Sequence, residues 1–258
     1  MAKQLLIYDS AVPVSSGRHR DWCIERRPYT FAANINSVPL TAVEIPHAAR
    51  EYAIVFAGTD SVVPVVLLGA VGNNNDYLAE DGSWRADYVP AFIRRYPFVF
   101  SLTEDKSRFA LCIDEQWGGC NQEGKGERLF DSQGERTAYL NQMLKFLEEY
   151  QLQFNRTQAH CRKLKELGLL EPMQAEFTLS DGTKRQLVGF QVISREKLKA
   201  LSAEQLAELA KTDELELIYD HLLSMHNFGV LAKRAAARMA SDQAAPAPPA
   251  AHPGDAEE

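Results

Sequence analysis

At 258 residues, 45% hydrophobic and 24% charged, the chain has ordinary globular composition and enough length to bury a sizeable core. Its net charge is −7. Arg238 against Asp242, Asp255, Glu257 and Glu258 places −3 of this in the C-terminal stretch and −4 in the rest, which leaves no basic footprint for nucleic acid. No apolar run approaches the length of a membrane span.

The four cysteines, Cys23, Cys112, Cys120 and Cys161, include no C-x-x-C pair, so a structural zinc site is not expected. The N-terminal apolar run, residues 5–8, is too short for a secretory signal. A domain of this size needs no disulfides, and the expectation is a reduced cytoplasmic protein. Export by a route that does not read the N-terminus stays open.

In chain order, residues 5–8 are expected as a short strand and Ser15 to Arg20 as a loop. Trp22, Cys23 and Ile24 open a strand that Pro28 breaks, since proline cannot donate to a ladder. Val38-Pro39-Leu40 is extended, and Pro46 suits the first position of a helical turn. Residues 52–56 and 62–71 are β-branched strands, with Pro64 arguing for an edge or a bulge in the second. Tyr77-Leu78 begins another short strand. Asp87 is expected to cap a helix over 88–96, ended by Pro97. Residues 98–102 and 109–113 form a hairpin around Glu104 to Ser107, and the whole half reads as one antiparallel sheet carrying a helix.

A Gly-rich loop, 117–127, then leads to Ser132 and Glu135, spaced as a capping box. Leu140, Met143, Leu147, Tyr150, Phe154, Cys161 and Leu164 make one stripe of a long helix that Gly168 stops. Residues 169–172 turn the chain. Residues 175–179 and 186–193 flank Asp181-Gly182 as a hairpin. Ser194 starts a short helix, Ser202 and Gln205 form a second capping box, and a long helix covers about 213–239. The Pro/Ala-rich acidic stretch 241–258 is expected to be disordered. The fold class is therefore α+β: an antiparallel sheet with packed helices, then a helical region containing a β-hairpin. Residues 1–240 are expected as a single domain, with a subdivision near 130 as the alternative.

Candidate chemistry is sparse. Gly118, Gly119, Gly124 and Gly126 lack the G-K-[ST] ending of a phosphate loop. Cys112 and Asp114 share a strand face, but no histidine is near in sequence to activate the thiol. Cys120, in a loop, is the better redox candidate. Arg94 and Arg95 are adjacent on a helix, so at most one faces inward, leaving the other for an anionic ligand. Arg27, after Arg26, is a second such candidate. Trp22, Trp84 and Trp117 lie near turns, either lining a peptide-binding surface or plugging core edges. His221 and His226 stand about 140° apart on a helix and cannot chelate one ion; His226 is read with Tyr219, Leu222 and Leu223 as a core-facing stripe.

The order of motifs carries a resemblance. It runs through Arg27-Pro28-Tyr29 with Phe31, Asn36-Ser37-Val38-Pro39-Leu40, and the stretch 88–98 that reads YVPAFIRRYPF. It continues through Leu111-Cys112-Ile113-Asp114, Leu129-Phe130-Asp131, Gly168-Leu169-Leu170-Glu171-Pro172 and Ile218-Tyr219-Asp220-His221-Leu222. In these the chain resembles the bacterial SapC family, named from surface-layer gene loci, across about residues 5–235. The resemblance implies surface-layer or cell-envelope biology and transfers no catalytic residue set. Together the features point to an accessory or binding protein that engages a protein or peptide partner, with Arg94, Arg95, Asp114, Trp117 and Arg27 as contact candidates. No cofactor and no metal are expected. The alternative is a small-molecule enzyme with its site where the Cys112–Asp114 strand end meets the arginine helix.

Overall fold

The computed structural model describes residues 6–102, 108–178 and 184–244. The turn at Glu104 to Ser107, the Asp181-Gly182 turn, Leu5 and the stretch from 245 onward lie outside these. Among the described residues the fold is α+β, with three antiparallel sheets and eight α-helices.

The chain opens with β1 (Ala11–Pro13), α1 (Ser16–His19) and β2 (Cys23–Ile24). A 3₁₀ turn, Tyr29–Ala32, leads to β3 (Ser37–Pro39) and α2 (Ile45–Ala48). Next come β4 (Ile54–Ala57), β5 (Val63–Leu67), α3 (Ala91–Arg94), β6 (Phe98–Leu102) and β7 (Phe109–Asp114). Short β8 (Cys120–Asn121) and β9 (Glu127–Arg128) precede α4 (Ala138–Glu166). The remainder is β10 (Leu170–Thr178), β11 (Lys184–Ile193), α5 (Arg195–Lys199), α6 (Ala203–Lys211), α7 (Glu214–Ser224) and α8 (Asn227–Ala244).

The expected single sheet is divided among three, with β2 set apart between β8 and β9, because the partners of the first half come largely from distant sequence. β4 and β5 belong to a five-stranded sheet ordered β10-β11-β4-β5-β3, whereas the β6–β7 hairpin pairs with β1. Ile54, Val55 and Phe56 are all buried rather than alternating, since both faces of the larger sheet are covered. Leu231 and Ala235 of α8 join one core with Val66, Phe177 and Phe190. Cys161, Leu164, Leu198, Leu209 and Ile218 of four helices build a second around Phe56. A third holds Ile24, Phe98, Ile113, Leu140 and Leu147. The 29-residue α4, about 43 Å long at 1.5 Å per residue, supplies the second and third cores from its two ends.

Several local expectations are corrected. The described residues of 5–8 form no strand, and 15–20 holds helix α1. β5 is interior, flanked by β4 and β3. Pro64 is tolerated there because it lies just past the last paired residue of β3, where its carbonyl accepts from Leu40 N (2.9 Å) and only the reciprocal bond is missing. Tyr77-Leu78 reduces to one bridge, Leu78 to Trp84.

The helix expected over 88–96 shrinks to α3. Asp87 N and Tyr88 N are held extended by the Glu51 carboxylate (both 2.9 Å), and buried Glu44 takes the Ala91 N–H (2.7 Å) in place of an Asp87 cap. Ser132 caps nothing. Asp131 Oδ1 instead accepts from Gln133 N and Glu135 N, and Thr137 accepts from Leu140 N to start α4.

Residues 169–172 run into β10 rather than turning. The helix expected over 213–239 is broken between α7 and α8, where Asn227 turns inward to donate to Ala49 O (2.8 Å) and Tyr52 O (3.0 Å). On α7 the inner face is Ile218, His221 and Ser224, while Tyr219 and Leu223 are exposed, so the predicted stripe was rotated. Ser224 faces inward because its Oγ accepts from Ile54 N of β4 (3.2 Å).

Candidate functional site

The site grows from the end of β7. Asp114 is fully buried, and a buried carboxylate is costly unless donors fill its lone pairs. Four do. Asp9 N (2.8 Å) and Tyr96 Oη (3.1 Å) donate to Oδ2, while Ser10 N (3.1 Å) and Gln116 N (3.3 Å) donate to Oδ1. Asp114 thus fixes the chain before β1, the Tyr96 side chain and the turn after β7 in one place. Burial first, and then the Asp114 charge, push the Tyr96 hydroxyl above the usual tyrosine range, so it stays a donor.

That turn carries Trp117, and its backbone is tight: Trp117 N donates to Asp114 O and Cys120 N to Trp117 O. A Cβ on Gly119 would lie 2.4 Å from the Trp117 ring and 2.7 Å from Glu25 O, so only glycine lets the indole fold back here. The Gly-rich stretch is therefore built, not a plain loop. β8 and β9 flank β2 on both sides. The pairing of Ile24 with Cys120, continued by Glu25 N donating to Gly119 O (2.8 Å), carries Arg27 past Trp117.

The result is a cleft of about 440 Å³ between these segments, with Arg27, Pro28, Phe31, Tyr96 and Trp117 among its walls and Asp9 at its margin. Phe31 stacks on Tyr96 (centroids 4.1 Å, 21°), and Trp117 meets Tyr96 edge-on (5.5 Å, 78°). Arg27 donates to Glu25 at 2.6 Å, but both side chains are well exposed, so this pair is weak and exchangeable. Aromatic faces beside one cation and one carboxylate are suited to a polypeptide: rings take apolar side chains, and the charges orient them.

Of the sequence candidates, Arg27 and Trp117 line the cleft and Asp114 stands behind it through Tyr96. Arg94 and Arg95 are not among the cleft's lining residues. Arg95 is the inward one, 2% exposed, with its guanidinium over Phe92 (4.3 Å) and Tyr150 (4.8 Å). Arg94 is exposed, donates to Val89 O (2.9 Å) and rests over Phe146 (5.3 Å) and Tyr88 (5.8 Å).

The three tryptophans do not converge. Trp84 donates to Tyr52 Oη (2.7 Å), and Trp22 packs edge-on against His19 (5.2 Å). Burial raises the Cys112 thiol and pushes Cys120 up to about 12, with Asp114 and Glu115 adding to the latter, which weakens Cys120 as a redox group. Among the described residues no group of three or more His, Cys, Asp or Glu is arranged to hold a metal ion. No described helix is long and apolar enough to cross a membrane.

Sequence reasoning missed Asp9, Phe31 and Tyr96 as site residues. Phe31 and Tyr96 both stand in the motifs that carry the family resemblance, which was a usable signal; nothing in the sequence marks Asp9.

A larger groove, about 820 Å³, runs between the β6–β7 hairpin and α4 and is walled by Phe100, Phe109, Leu111 and Leu144. None of the sequence candidates lies on it.

Compared with known proteins, residues 14–231 match the family model described as SapC. No curated protein and no solved structure matches the chain.

Proposed function

The chain belongs to the SapC family, and from that premise we propose that it is an accessory binding protein that receives a segment of a protein or peptide partner in the Arg27–Trp117 cleft. The observation that carries this is the ring cluster Phe31–Tyr96–Trp117 with Arg27 and Asp9 beside it. Trp117 acts as the apolar anchor. Arg27 offers its planar fork to a carboxylate or backbone carbonyl on the partner. Asp114 is a positioning residue, since it reaches the cleft only through Tyr96 and the backbone of Asp9 and Gln116. Exposed Arg94, on its aromatic platform, is a second contact in this proposal. The tie to surface-layer or cell-envelope biology is a proposal that rests on the family resemblance alone.

The enzyme reading is weaker. Asp114 has its lone pairs occupied, and the neighbouring thiols are raised rather than activated.

The test is affinity capture from the native host with tagged full-length protein and identification of what stays bound. One dominant polypeptide is expected. Trp117→Ala, in protein that keeps its circular dichroism, should weaken its capture by about 2 kcal/mol, roughly 30-fold in Kd. Arg27→Ala should weaken it less. Capture undiminished by both variants would remove the cleft from the account.

A further inference from the structure

We propose that the cleft selects a partner segment with an acidic and a basic side chain on either side of an apolar one. Arg27 takes the acid, Asp9 takes the base, and Glu25 is the built-in competitor for Arg27. This rests on the cleft being a peptide site and adds the chemical class of the peptide and a residue that sets its affinity. Three observations carry it.

The first is where the charges stand. Arg27 and Asp9 supply the charges of the cleft's walls. Backbone bonds put them at opposite ends of the turn that holds Trp117. Glu115 N donates to Ser10 O (3.3 Å), which brings Asp9 and Ser10 to the start of that turn. Glu25 N donates to Gly119 O (2.8 Å), which brings the Arg27 segment to its end. A side chain seated on Trp117 therefore has a cation towards one side and an anion towards the other, and charge complementarity fixes the direction of the segment as well as its composition.

The second is the state of the Asp9 carboxylate. The Tyr96 hydroxyl is committed to Asp114 (3.1 Å), as is the Asp9 backbone N–H (2.8 Å). The Asp9 side chain is exposed, and among the described residues no cation pairs with it. After burial, Asp114 and Tyr8, the Asp9 charge adds to what pushes the Tyr96 hydroxyl up, which agrees with its place beside the rings. A carboxylate next to aromatic faces suits an ammonium or guanidinium group, since the rings attract the same cation.

The third is the Glu25–Arg27 pair. Among the described residues the Arg27 guanidinium makes one hydrogen bond, from Nη2 to Glu25 Oε2 (2.6 Å). The Glu25 backbone is held by the bond to Gly119 and by Gly126, where a Cβ would lie 2.8 Å from Glu25 Cα. Its carboxylate is thus presented to Arg27 from a fixed backbone, yet both side chains are exposed enough for the pair to exchange. A partner carboxylate that engages the planar fork through two parallel bonds displaces one held through a single bond.

The experiment selects random peptides displayed on phage with the full-length protein, then titrates the recovered sequences as synthetic peptides. Sequences held by the native chain and lost on Trp117→Ala are expected to carry Asp or Glu and Lys or Arg on either side of an apolar residue. Selection repeated on Asp9→Asn should lose the basic preference alone, and on Arg27→Gln the acidic preference alone. Glu25→Gln should tighten the best peptide by about two- to fivefold, the worth of an exposed ion pair. Trp117-dependent sequences without charge preference overturn the two-charge reading and leave the peptide site standing. A charge preference that survives in both variants overturns its assignment to Arg27 and Asp9. An affinity that Glu25→Gln leaves unchanged or weakens overturns the competitor role. Failure to recover any Trp117-dependent sequence overturns the peptide site as well.

Discussion

His221 has no water-facing side and packs against the Phe56 ring at 5.0 Å in an apolar core. Desolvation pulls its pKa from the ordinary 6.5 down to about 3. The unfolded chain therefore takes up a proton as pH falls through about 6.5, and the folded chain does not until about 3. The stability that depends on a neutral His221 is complete above 6.5 and drains away as pH drops. By pH 4.5 the loss is about 2–3 kcal/mol at 1.36 kcal/mol per unit. Urea titrations at pH 7 and 4.5 should show it, and His221→Leu should flatten the difference. An identical pH slope in the variant would assign acid sensitivity elsewhere, with the Glu214 carboxylate held by Lys163 and His160 the next group to test. Asp114 is the other decisive single residue. Asp114→Ala strands the N–H groups of Asp9, Ser10 and Gln116 and the Tyr96 hydroxyl, and should cost about 3 kcal/mol or more in denaturant midpoint. The sequence marked Asp114 as notable for its place at the end of an apolar strand. It gave no sign that the carboxylate is an acceptor hub, because three of the four donors are backbone groups whose direction depends on turns.

At the scale of elements, α4 was largely legible. Its apolar stripe and its Gly168 stop (φ +66°) follow from local sequence, whereas its first residue is set by the Thr137 cap rather than by Ser132. What holds it in place is partly polar. Buried Thr157 donates to Gln153 O within the helix and accepts from Ala42 N (2.7 Å) of the turn before α2. Thr157→Val keeps shape and removes the acceptor, so it should cost about 1–3 kcal/mol with helix content unchanged. A loss within a few tenths would mean the Ala42 N–H finds water instead. The capping box at Ser202 and Gln205 formed as the spacing predicted, since both partners lie within one turn. The similar pattern at Ser132 and Glu135 failed because Asp131 Oδ1 takes the Glu135 N–H that Ser132 would have accepted. The same competition shortened α3, where carboxylates from distant Glu44 and Glu51 claim the backbone that Asp87 was expected to cap.

Across the whole molecule, α4 feeds Leu140 and Leu147 to one core and Cys161 and Leu164 to another. That sharing supports the proposal that residues 1–240 unfold as one unit rather than dividing near 130. Far-ultraviolet dichroism and tryptophan fluorescence should then report a single coincident transition; two separated midpoints would divide the domain. The cleft is also a property of this scale. Gly119→Ala should drive Trp117 off its turn, change the tryptophan fluorescence and weaken partner capture, although residue 119 touches no ligand in the proposed mode. The α+β class, the helix stripes, the β-branched strands and the family were all readable in the chain, because they depend on periodicity, propensity and motif order. The division into separate sheets, the inward face of α7 and the meeting of Asp9, Arg27, Phe31, Tyr96 and Trp117 were decided only by tertiary structure. Strand partners such as β1 with β7 and β2 with β8 lie about a hundred residues apart, and no local pattern encodes which distant backbone will supply the missing hydrogen bonds.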